Sequence, residues 1–135
     1  MRPYSRGFLR FHAVFAMLLG LGMAGLATVG HVHGAGPLAV LGDNPLAYMG
    51  LLQAYLIFAV AGLSMWAASG RTPSLWPWHL CGLLAHLPAF VLTLHFWSWM
   101  TAQGVPTGAV FLHGAFILAE GLFVSSYTLG PRKAA

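Results

Sequence analysis

Four apolar runs of about twenty residues take up most of this chain, a length that lets a helix cross roughly 30 Å of hydrocarbon. The six Lys and Arg residues are distributed around those runs with one bias. Arg2, Arg6 and Arg10 lie at the start of the first run, Arg71 between the second and third, and Arg132 and Lys133 after the fourth. The other two connections hold none, so the positive-inside rule predicts that both termini are cytoplasmic. At 59% hydrophobic and 6% charged over 135 residues, the chain has too little polar surface to cover itself in water. Lipid is therefore the expected solvent and partner.

The expected fold is all-α: one integral-membrane domain spanning 1–135, an up-down-up-down four-helix bundle in the inner, cytoplasmic membrane. Its spans are read at about 8–29, 46–68, 76–99 and 108–129. A formal charge of +4 is explained by topology, and no nucleic-acid partner is expected. Another membrane protein or a second copy is the protein partner such a chain would take. Cys81 is the single cysteine, which excludes an internal disulfide and a thiolate metal cluster. Its expected role is that of a small core residue.

The basic start and apolar run also resemble a secretory signal. Retention is favoured, because no Ala-x-Ala motif follows and Gly20, Gly22, Gly25 and Ala24 form a small-residue surface suited to helix packing. The same glycines spell Gly-x-Gly-x-x-Gly, a false dinucleotide match without a preceding strand. Asp43 reads as the cap of the second span, ahead of Pro45. Gly70–Ser74 and Gly104–Thr107 read as turns, and Gly130-Pro131 as the final stop. Trp66, Trp76 and Trp78 fall at the cytoplasmic interface and Trp97 and Trp99 at the other. Offsetting the fourth span by sixty residues pairs Leu52 with Leu112, Gln53 with His113, Ile57 with Ile117 and Ala59 with Ala119. That is the pattern of a 2+2 duplication.

Function is sought among polar groups at membrane depth, which are costly there. Glu120 is the acid at the middle of the fourth span, and His113 lies seven residues before it, on the same helix face. Matched depth pairs Glu120 with His86 on the third span, where Pro88 loosens the hydrogen-bond ladder. His95, Gln53 and Tyr55 complete an expected polar pocket open to the outside. His12 and His79 are read as interfacial. His31-x-His33 with Asp43 is a weak metal signal, and the scattered methionines read as packing residues.

Three functional classes fit these residues. One is a packing or accessory protein, whose polar groups act as interhelical glue worth about 0.6 kcal/mol each. A second is a proton-coupled transporter or lipid isomerase, with Glu120, His86 and His113 as the candidate catalytic residues. The third is a haem b electron-transfer subunit using His95 and His113. Bulky Phe96, Trp97, Phe111 and Leu112 crowd that pair, so no cofactor and no metal are expected.

Overall fold

The structure, a computed structural model, describes residues 3–102, 104 and 107–128. Arg2, Arg132, Lys133 and the Gly130-Pro131 stop lie outside the described residues, as do Val105 and Pro106 of the second outer turn. Among the described residues there is no strand. Helix α1 is Pro3–His33, α2 Pro45–Arg71, α3 Trp76–His95, α4 Trp97–Ala102 and α5 Ala109–Thr128, with a 3-10 turn at Ala39–Leu41. Of these, α1, α2, α3 and α5 are long and apolar enough to cross a membrane. The chain divides into two compact units, one Arg6–Arg71 and the other the described parts of Met1–Ser5 and Thr72–Ala135.

In the Arg6–Arg71 unit, α1 and α2 lie antiparallel with their backbones in contact. Ala13, Ala16, Gly20, Ala24 and Ala27 recur at helical spacing and are all buried. They make one narrow stripe of small residues. A Cβ on Gly62 would stand 2.7 Å from the Ala13 carbonyl, and one on Gly20 would stand 2.7 Å from that of Tyr55. Glycine at both positions is what allows this approach. Gly22 and Gly25, expected on the same surface, have nothing within 4 Å and face away. At one end of the pair, Arg10 Nε donates to Ser69 Oγ at 3.2 Å and the guanidinium lies 5.8 Å from the Trp66 ring. At the other end, Thr28 Oγ1 and Tyr48 Oη are 3.3 Å apart.

Helix α1 outlasts its expected end by about one turn. It stops where Gly34 adopts φ +58° and its N–H bonds the Gly30 carbonyl at 3.1 Å, a left-handed glycine cap. The cap of α2 is one residue later than expected. Asn44 Oδ1 accepts from the Ala47 N–H at 3.0 Å, with Pro45 opening the first turn, so Asp43 is not the cap.

In the second unit, α3 and α5 are antiparallel. The third run is one helix only to His95; Phe96, at φ −97° and ψ 13°, interrupts it before α4. The helix passes through Pro88 without a break. No Gly or Pro stands at the Phe96 break, and nothing in the sequence marks it. Gly114 admits the Phe90 ring, which a Cβ would meet at 3.2 Å. Cys81 is exposed on α3, contrary to its expected place in the core.

Candidate functional site

The seam between α3 and α5 is built from residues seven apart: His79 and His86 on α3, His113 and Glu120 on α5, and Phe116 and Phe123 on α5. Seven residues are close to two helical turns, so each pair keeps one face. In an antiparallel couple these faces meet twice. At the first level His79 Nδ1 stands 2.5 Å from Glu120 Oε2, with the imidazole stacked on Phe123 at 4.7 Å between centroids. At the second level His86 Nδ1 stands 2.8 Å from His113 Nδ1, with His86 stacked on Phe116 at 4.7 Å. His79, His86 and Glu120 are all fully buried.

The expected pairing of Glu120 with His86 is therefore replaced by one displaced seven residues along α3. The helix faces agree with the expected ones, and the register between the helices differs from the expected one. Placing the midpoint of α3 on a 76–99 span moved it toward the C-terminus, whereas the helix ends at His95. In the observed register His95 passes the start of α5 at Ala109 and is exposed. It is not level with His113, as a shared haem would require. Gln53 is exposed on α2 and Tyr55 is half-buried there.

His79 also bonds through its other nitrogen. Its Nε2 lies 2.7 Å from Ser5 Oγ, and that hydroxyl lies 3.0 Å from Tyr127 Oη. Ser5 is fully buried and Tyr127 is half-buried. In the sequence alone Ser5 resembles a surface group, lying among basic residues ahead of the expected span, and so does His79, lying beside Trp78. One signal was available: two histidines seven apart facing a His and a Glu seven apart.

The donor order follows from the acceptors. With Glu120 ionised, the His79 Nδ1–H donates to it, Nε2 accepts the Ser5 hydroxyl hydrogen, and the Ser5 oxygen accepts from Tyr127. Serine, Nε2, Nδ1 and carboxylate stand in the order of a hydrolytic triad. Ser5, His79 and Glu120 are each 0% exposed, however, so no ester carbon can reach the hydroxyl in this arrangement. What such a chain can do is pass protons. A cavity of about 590 Å³ lies farther along, lined by Phe90, Leu94, Trp97, Phe111 and Leu118 among others, none of them ionisable.

The metal readings do not gain a ligand set. His31 and His33 stand in the last turn of α1, where a spacing of two points side chains apart. His31 Nδ1 donates to the Leu41 carbonyl at 2.9 Å and its ring stacks on Tyr48. Among the described residues no three His, Cys, Asp or Glu groups converge as a metal site would need. His12, expected at the interface, is buried. The chain matches no family model, no curated protein and no solved structure.

Proposed function

We propose that this chain is a small multi-pass inner-membrane protein, with both termini cytoplasmic, that conducts protons along the α3–α5 seam. The observation carrying the proposal is the buried His79–Glu120 pair, with a second protonatable pair, His86–His113, on the same faces. Rows of Asp, Glu and His inside membrane helices serve as proton relays. The membrane placement rests on four apolar helices with little of their surface buried. Leu18, Ile57, Phe111 and Leu122 are each more than half exposed, an arrangement that suits lipid and not water. The N-in, C-in orientation rests on the basic residues.

The two levels are about 10 Å apart along the helix axis, so they do not form one continuous wire. Phe116, 5% exposed, falls between His113 and Glu120 in sequence and acts as an apolar spacer. A proton passes it when water or a side-chain swing bridges the gap. Glue alone is the competing reading, and it predicts no proton movement.

The test is proton flux. Protein reconstituted in liposomes containing a pH-sensitive dye is driven by a potassium diffusion potential. Wild-type vesicles are expected to acidify faster than protein-free ones, and Glu120→Gln vesicles to fall to the protein-free rate. Equal rates for wild-type and empty vesicles would sink the reading.

A further inference from the structure

Resting on the relay reading, we infer that Tyr127 and Ser5 form the proton entrance to the His79–Glu120 pair. Exposure drops once along the chain of bonds: Tyr127 is half-buried, while Ser5, His79 and Glu120 are fully buried. Tyr127 is thus the member of the chain that opens to the surface, at the end of a candidate span. The links are 3.0 Å from Tyr127 Oη to Ser5 Oγ, 2.7 Å from Ser5 Oγ to His79 Nε2 and 2.5 Å from His79 Nδ1 to Glu120 Oε2. Each lies within hydrogen-bonding range, and each middle member both donates and accepts.

Transfer balances at every atom. A proton from water bonds to the Tyr127 oxygen as its own hydroxyl proton passes to Ser5 Oγ. The Ser5 proton moves to His79 Nε2, and the proton on Nδ1 moves to the Glu120 carboxylate. Afterward Tyr127 and Ser5 are still neutral hydroxyls, His79 is neutral with its proton on Nε2, and Glu120 is the carboxylic acid. One proton has entered and no residue other than Glu120 has changed charge. Before the next transfer, once Glu120 has passed its proton on, the row must reset: the two hydroxyls reorient, and the His79 proton returns from Nε2 to Nδ1 by rotation of the ring or by exchange with water.

Placement also favours an entrance over simple packing. Ser5 stands in the first turn of α1 and Tyr127 in the last turn of α5. On the proposed topology both ends face the cytoplasm, so the entrance opens there. Ser5 directs its hydroxyl to another helix, although a serine in the first turn of a helix is well placed to bond its own free N–H groups.

Liposome flux separates this inference from the reading beneath it. Ser5→Ala is expected to reduce flux at least tenfold, Ser5→Thr to restore a substantial part of it, and Tyr127→Phe to reduce it several-fold. Size-exclusion profiles and thermal midpoints near wild type identify variants that fold. Should Ser5→Ala prove unfolded, Tyr127→Phe, which removes only the hydroxyl oxygen, decides alone. Loss of flux in Glu120→Gln with wild-type flux in folded Ser5→Ala or Tyr127→Phe overturns the entrance and leaves the relay standing. Wild-type flux in Glu120→Gln overturns both.

Discussion

Glu120 illustrates how much one buried carboxylate asks of its surroundings. A lone acid against lipid tails is costly, and the structure gives it an imidazole at 2.5 Å and zero exposure. Glutamine at position 120 keeps the shape and can still bond His79, so Glu120→Gln should fold normally. Alanine leaves a buried imidazole without its partner, and Glu120→Ala should lose about 1–3 kcal/mol of stability. Chemical denaturation in detergent measures the difference; equal stability of the two variants would show that the bond contributes nothing. Phe116 offers a second check. Phe116→Ala removes the spacer and should raise liposome proton flux above wild type, whereas unchanged flux would place the barrier elsewhere. At this scale the sequence identified Glu120, His113 and His86 as the residues of interest. His79 and Ser5 were hidden because their positions near helix ends resemble those of surface groups.

Helix pairing is where the sequence was least informative. The apolar runs located α1, α2, α3 and α5 to within a turn or so, because length and hydrophobicity are properties of each run by itself. Register is a property of two helices together. A slip of seven residues between α3 and α5 preserves both faces and moves only which histidine meets Glu120. The α1–α2 seam is set differently, by where small residues allow backbone contact. Gly62→Ala places a methyl 2.7 Å from the Ala13 carbonyl and should cost about 1–3 kcal/mol. Gly22→Ala, with open space around it, should be neutral or stabilise by up to about 1 kcal/mol through helix propensity. Thermal midpoints of the two variants test this contrast, and a Gly62→Ala protein as stable as wild type would show that the helices can separate freely. The two seams do not share their chemistry, since one is Gly and Ala and the other His, Glu and Phe. The internal duplication suggested by the sequence therefore extends at most to a common two-helix build.

For the whole molecule, the distribution of Lys and Arg predicts a single orientation in the membrane. In a Cys81→Ala background, Gly36→Cys and Thr101→Cys should react with an impermeant maleimide on intact cells. Ser74→Cys should react only after permeabilisation. All three positions are exposed, so labelling reports sidedness. Reaction of Ser74→Cys on intact cells, or protection of Gly36→Cys, would reverse the topology. That orientation also decides which side the proposed Tyr127–Ser5 entrance faces.

Composition and periodicity determined by themselves that this chain is helical, that four of its helices are fit to cross a membrane, and that Glu120 and its neighbouring histidines are the residues to question. These are local quantities: hydrophobicity summed over a run, and the energetic cost of placing one charge within it. The tertiary structure alone decided that Glu120 belongs to His79, that His86 belongs to His113, and that Ser5 joins them from a distance of 74 positions in sequence. Those pairings depend on how far one helix slides along another and where α3 ends. Many small side-chain contacts settle both at once, and no single residue carries the information.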